Sequence, residues 1–222
     1  MRPYILNIHT ATEIAIINLS EGSETLRTKI NTDTKKHAAF LHSAVNELLQ
    51  QEGISIKKLD AIGITSGPGS YTGMRVGLAA AKGFCYALGI PLITSTTLEV
   101  MASSAAHFVK DADALFCPMI DARRMEVYAA VYSFDMDEIE PPAAKILKEN
   151  SYEDYLKTTK IIFSGSGSKK FQSLANLPNL NFVDTEINPE ILTQISWNKF
   201  QNSDFENIPY AQPLYIKEFY TN

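Results

Sequence analysis

The stretch LDAIGITSGPGSYTGMRVG, residues 59–77, decides how the chain is read. Its first half, 59–66, is apolar without alternation, the pattern of a strand covered on both faces. Residues 67–73, GPGSYTG, form a glycine-rich loop. Residues 74–88 follow as a helix that stops at Gly89. Outward from there, 90–95 reads as a strand and 96–109 as a helix. Upstream, 3–8, 13–19 and 24–31 read as three strands of a meander. They are followed by a helix over 34–52, in which Ala38, Leu41, Val45 and Leu48 fall at helical spacing. The order is βββαβα, an α/β lobe. Strands at 115–120 and 125–134 open a second series. A polar stretch containing Pro141 and Pro142 follows, then a helical segment at 151–157, a strand at 160–164 and a turn at 165–168. The tail beyond 200 is polar and proline-punctuated, with a last apolar segment at 213–220. Two related α/β lobes are expected, residues 1–103 and 104–222, with no short repeat.

The 222 residues are 45% hydrophobic and 20% charged, the balance of an ordinary globular protein. The net charge of −5 is opposite to that of a chain whose main task is gripping a phosphate backbone. RNA contact by this chain alone is therefore not expected. Polar Asn7, His9, Thr10, Thr12 and Glu13 interrupt the N-terminal segment, which rules out a signal-peptide reading. No stretch approaches the length of a membrane span, so the cytoplasm is the expected location. Cys85 and Cys117 lie far apart in apolar patterns and read as reduced core thiols.

The glycine loop offers backbone N–H groups at a helix start, which suits an anion. A phosphate loop needs Gly-Lys-Ser/Thr, whereas Gly73 is followed by Met74 and Arg75. Gly67, Gly69 and Gly73 fit a dinucleotide fingerprint better, but the next strand ends in Thr94, Ser95 and Thr96 without a carboxylate. A tight turn with no ligand is the third reading. The helix after the loop is apolar or small nearly all round, with Arg75 and Lys82 on one stripe. Such a helix is buried on nearly all sides, by its own chain or by a partner. Gly77, Ala80, Ala81 and Gly83 would admit a close neighbour. His37 and His42 are five apart, off one helical face, and His9 and His107 stand alone. Asp121 and Glu126 flank Arg123 and Arg124 without making a catalytic pair. No assembled catalytic, cofactor or metal site is read from these residues.

Several stretches together resemble one family. They are Ile5–Leu19, Lys36-His37 with the helix after it, Gly67–Gly77, Pro91-Leu92-Ile93 through Thr97-Leu98-Glu99, Ile120–Arg123 with Glu126-Val127-Tyr128, and Pro213-Leu214-Tyr215. They run through most of the chain and resemble the TsaB (YeaZ) family, the non-catalytic component of the bacterial machinery that makes threonylcarbamoyladenosine in tRNA. The resemblance implies an actin-like ATPase fold of two βββαβα lobes. It implies a scaffold that activates rather than catalyses, pairing with the catalytic paralogue TsaD and supporting docking of the ATPase TsaE. The tRNA, one that reads ANN codons, is reached only through the complex. No cofactor is implied.

The implied partner surface is a helix bundle lined by His37, Leu41, Val45, Leu48, Met74, Gly77, Leu78 and Ala81. Self-association of the isolated chain through the same patch is expected. Two departures from family patterns bear on catalysis. His9 stands where the family has Asp, and a histidine is no magnesium-side oxygen donor. The paralogue's metal histidines fall on Thr97 and Met101, which supply no imidazole pair. The alternative reading is a stand-alone nucleotide-dependent transferase or protease-like hydrolase of the same superfamily.

Overall fold

A computed structural model describes residues 2–217, with only the backbone described at Lys35. The chain folds as two units. One comprises residues 2–97 with Asn188–Leu214, the other Leu98–Ile187 with residues 215–217.

In the first unit, β1 (Tyr4–His9), β2 (Ala15–Glu21) and β3 (Glu24–Asn31) form an antiparallel meander. Helix α1 (His37–Gln51) then crosses over to β4 (Leu59–Thr65), parallel to β1. Helix α2 (Tyr71–Leu88) leads to β5 (Leu92–Ser95), parallel to β4. The sheet order is β3-β2-β1-β4-β5. The second unit repeats the plan. Strand β6 (Leu115–Asp121), β7 (Glu126–Tyr132) and β8 (Glu138–Ile146) form the meander. Short α4 (Glu153–Leu156), β9 (Ile161–Ser164), α5 (Ser168–Leu174) and β10 (Asn181–Val183) complete it, in the order β8-β7-β6-β9-β10. The two sheets have the same connectivity and the same pattern of parallel and antiparallel neighbours. This is the duplicated actin-like α/β architecture expected from the sequence.

Helix α3 (Thr97–Val109) follows β5 in the chain, yet Leu98, Ala102 and Ala105 pack with Phe116, Ala130 and Ile162 of the second sheet. Helix α6 (Pro189–Gln201) follows β10, yet Trp197 and Phe200 pack on Ile5, Ala61 and Ile93 of the first sheet. The sequence reading places a single boundary between 103 and 104. The contact grouping puts α3, from Leu98 on, with the second sheet and α6 with the first, because their apolar faces pack there. The reading also passes over β8 and α6. Strand β8 carries Pro141 and Pro142, which an edge strand tolerates and a central strand does not. Helix α6 is masked by its polar inner face.

That face docks by hydrogen bonds as well as apolar burial. Ser196 Oγ donates to Asn7 Oδ1 at 2.6 Å, and Thr193 Oγ1 to Asn18 Oδ1 at 2.9 Å. Asn7 Nδ2 also reaches Asn18 Oδ1 at 3.1 Å, and Asn18 Nδ2 donates to Thr28 Oγ1 at 3.2 Å. The opposite face of the sheet is apolar: Leu6, Ile8, Ile17, Leu19 and Ile62 meet Leu41, Val45 and Leu48 of α1 and Leu78 and Ala81 of α2. Each of the Leu, Ile and Val side chains contributes about 1.5–3 kcal/mol when fully buried.

Asn18 is the hub of the polar layer. Replacing it by Leu strands the buried Asn7 amide nitrogen and takes one of the two hydrogen bonds of the Thr193 hydroxyl, which keeps Thr25 Oγ1 at 2.7 Å. Asn18→Leu is expected to lower unfolding stability by about 2–4 kcal/mol, whereas exposed Asn46→Ala is nearly neutral. Urea denaturation of the two variants checks this. Equal midpoints would show that the layer adds nothing to stability.

Candidate functional site

Strands β1, β4 and β5 end together at one edge of the first sheet, and the glycine string lies there. Helix α2 starts three residues earlier than the sequence pattern suggests, at Tyr71, so Gly73 sits in its first turn. Ser70 caps it, its Oγ accepting from Gly73 N at 3.3 Å. Ser70 N donates to Ala11 O at 2.7 Å, and Met74 N to Ser70 O at 2.8 Å. These donors of the loop are therefore occupied internally.

The glycines serve close approach. A Cβ on Gly69 would sit 1.9 Å from Ala11 O, on Gly73 2.0 Å from Thr10 O, and on Gly77 2.3 Å from Thr10 Oγ1. Thr10 Oγ1 in turn donates to Gly73 O at 2.7 Å. Together these contacts press α2 onto the β1–β2 turn backbone to backbone. Of the three readings of the loop, the structure supports the tight turn.

His9, at the end of β1, is fully buried, with Nε2 2.8 Å from Thr12 Oγ1. Burial, and secondarily the neighbouring His37, push its imidazole down to about 3, so it is neutral at physiological pH. A neutral imidazole offers nitrogen, not the anionic oxygen a hard cation needs. His9 Nδ1, Thr65 Oγ1 and Thr97 Oγ1 are buried without protein partners. Met101 packs in the second unit, its methyl lying where a Cβ on Gly165 would fall. Among the described residues, no group of three or more His, Cys, Asp and Glu is placed to hold a metal ion. Both cysteines are free and buried, and burial pushes Cys85 up to about 11 and Cys117 up to about 12.

The eight residues expected on a partner surface are a correction. His37, Leu41, Val45, Leu48, Met74, Gly77, Leu78 and Ala81 are all buried. His37 sits 3.0 Å from Asn31 Nδ2, and Leu41, Val45, Leu48, Leu78 and Ala81 belong to the core under the sheet. They are the inward stripes of α1 and α2, because a sheet face this apolar requires them. The outward stripe of α2 consists of Thr72, Arg75, Ala79, Gly83, Tyr86 and Ala87, with Val76 and Ala80 half-buried beside it. Tyr86 is 88% exposed, and a Cβ on Gly83 would meet nothing within 4 Å. Beside this stripe, His42, Leu49, Ile54, Ile56 and Phe84 help line a groove of about 380 Å³. The signal for the outward face was present in the sequence. Its residues are small apart from Arg75 and Tyr86, while the inward set carries Met, Leu and Cys at the same spacing.

Comparison with known proteins gives a consistent picture. The family model for TsaD, tRNA N6-adenosine threonylcarbamoyltransferase, matches residues 24–203. The tRNA threonylcarbamoyladenosine biosynthesis protein TsaB of Escherichia coli (strain K12) is 27% identical over 220 residues, covering 96% of this chain and 94% of that protein. TsaB of Bacillus subtilis (strain 168) is 34% identical over 130 residues, 59% of this chain and 55% of that protein, so this match spans about half of the relative. YeaZ from Pseudomonas aeruginosa superposes with a TM-score of 0.83 at 22% identity, over 96% of this chain and 99% of that one.

Two outcomes follow from the geometry. Gly77→Ala forces a methyl into Thr10 and is expected to destabilise the chain by about 1–3 kcal/mol. Gly83→Ala, in open space on the same helix, should stabilise it by about 0.5–1 kcal/mol. Thermal melts of both decide, and a neutral Gly77→Ala would mean that α2 does not need the close approach. Unfolded His9 takes up a proton near its ordinary 6.5, while the folded residue does so only near 3. Acidification from about pH 7.5 to pH 5 therefore removes about 2 kcal/mol of stability through this residue. His9→Gln should flatten the stability–pH curve by that amount, and an unchanged slope would show that His9 is not buried neutral.

Proposed function

This chain belongs to the TsaB (YeaZ) family, and on that premise we propose that it is the non-catalytic, activating subunit of a complex that forms threonylcarbamoyladenosine beside the anticodon of tRNA. The observation that carries the reading is the outward stripe of α2. Ala79, Gly83 and Ala87 bring a second helix within close reach, and exposed Tyr86 supplies an aromatic anchor. The partner is the catalytic paralogue TsaD, built on the same scaffold, so that two helices from each protein form the bundle. Self-pairing of the isolated chain uses the same stripe, and TsaE docks on the heterodimer.

A second observation supports activation over catalysis. At the end of β1, the position from which a carboxylate would serve a nucleotide-bound cation, stands a buried, neutral His9. The Cys85 and Cys117 thiols, pushed up by burial, do not present thiolates at neutral pH. No helix among the described residues is long and apolar enough to cross a membrane.

Gly83→Arg places a long cation on the stripe, where the free chain has open space. The variant should melt as the wild type does but bind TsaD at least about tenfold more weakly, a loss of about 1.4 kcal/mol or more. In cells lacking the wild-type gene it should restore little modified nucleoside, measured by mass spectrometry of digested tRNA. Undiminished TsaD binding by Gly83→Arg would move the interface elsewhere. Normal modified-nucleoside levels in cells lacking the protein would remove the functional reading itself.

A further inference from the structure

The tip of the β6–β7 hairpin carries local positive charge in a chain that is acidic overall. The turn is tightly tied: Ala122 N donates to Glu126 O and Glu126 N to Arg123 O, each at 3.1 Å. Arg123 N donates to Asp121 Oδ1 at 2.7 Å, and Asp121 N to Ser166 Oγ at 3.1 Å. Both nearby carboxylates are engaged by lysines. Asp121 pairs with Lys170 at 2.7 Å, and Glu126 with Lys217 at 2.6 Å. Lys170 also donates to Glu126 O at 3.3 Å, which ties α5 to the hairpin.

Arg123 and Arg124 project from this braced turn, both exposed. Among the described residues neither guanidinium has a hydrogen bond or an ion pair. The lysines neutralise the carboxylates, so these side chains leave an excess of two positive charges at one point. Exposed Met125 lies beside them.

We propose that this tip is a docking point for the phosphate backbone of RNA, with Arg123 and Arg124 as the contacting residues. The chemistry favours phosphate. The cations spent internally are lysines, which act as point charges, whereas the two left free are arginines. Their planar forks grip phosphate oxygens in a bidentate fashion. A tip fixed by its own hydrogen bonds presents those forks with less ordering on binding than a loose loop would need. Met125 gives an unstacked base an apolar surface to lie against. The choice of RNA over an acidic protein surface rests on the tRNA reading above. The net charge of −5 does not oppose this, because a contact is decided by local potential and not by the sum over the chain.

The test uses the full chain, an unmodified tRNA transcript and fluorescence anisotropy over a range of salt. Each phosphate contact contributes about 0.7–0.9 to the slope of log affinity against log salt. Arg123→Gln with Arg124→Gln should therefore make the slope shallower by about 1.4–1.8 and weaken binding at about 50 mM salt roughly tenfold. Arg123→Lys with Arg124→Lys should keep the slope. In the wild type, tRNA should shield Arg123 and Arg124 from phenylglyoxal, read by peptide mass spectrometry. This arm needs no variant and holds even where the double Gln chain folds poorly.

The proposal is overturned if the wild type binds no RNA at about 50 mM salt, well below physiological ionic strength. It is also overturned if the double Gln chain folds and keeps both affinity and slope, or if a poly-glutamate peptide shields the arginines and RNA does not. A folded double Gln chain that binds RNA normally ends the inference while leaving the role in tRNA modification intact. Conversely, shielding by a poly(U) strand of similar length upholds the tip even if cells lacking the protein modify tRNA normally.

Discussion

The structure of the first unit depends on one backbone-to-backbone approach. Helix α2 rests on the β1–β2 turn with Gly69, Gly73 and Gly77 against the carbonyls and hydroxyl of Thr10 and Ala11, at separations that leave no room for a methyl group. Each of these glycines carries a conformational-entropy cost that a helix or tight loop would not otherwise accept. The approach offsets that cost by seating Met74, Leu78, Ala81 and Cys85 in the core and by turning the opposite stripe of the helix outward. The glycine string sets which side of α2 is buried in this chain and which is left exposed. The same approach occupies the loop's donors, so a motif that looks made for an anion is instead closed by its own carbonyls and serine.

The duplication has a second consequence. Both sheets are sandwiched, and in each the helix covering one face comes from the other half of the chain: α6 on the first sheet and α3 on the second. The α6 contact includes a buried polar layer through Asn7, Asn18, Thr193 and Ser196. Hydrogen bonds of this kind add modest net stability, but they penalise any other seating heavily, because a mismatch leaves buried amides and hydroxyls unpaired. They therefore set the register of a helix that arrives from far along the sequence, where an apolar stripe alone would permit sliding.

The strand ends and the hairpin tip show opposite uses of charge. At the end of β1, burial keeps His9 uncharged, and among the described residues no group of three or more His, Cys, Asp and Glu is placed to hold a metal ion. At the β6–β7 tip, two ion pairs absorb the carboxylates and leave two exposed guanidiniums. A chain that is acidic overall thus keeps a local positive point without a basic face, and the scaffold reading requires no more than such local features.

The strand–loop–helix order at 59–88 and the meander before it are legible in the sequence because strand and helix periods differ and glycine punctuates both. The family resemblance follows from strings such as GPGSYTGMRVG. The expectation that His9 stands where the resemblance puts Asp, and Thr97 and Met101 where it puts the paralogue's metal histidines, likewise rests on residue identity alone. Three things were decided only in three dimensions. Strand β8 is hidden by prolines that are acceptable only because it lies at an edge. Helix α6 and the crossing of α3 depend on which sheet face is open, a contact between residues nearly 190 apart, as in Asn7 with Ser196. Which stripe of α2 faces inward was fixed by the sheet, since a helix that is apolar or small nearly all round carries only the weak signal of residue size in its periodicity. Burial of Leu41, Leu48 and Leu78 against the sheet settles which side faces in, because only there does the apolar surface find close-packed partners instead of water.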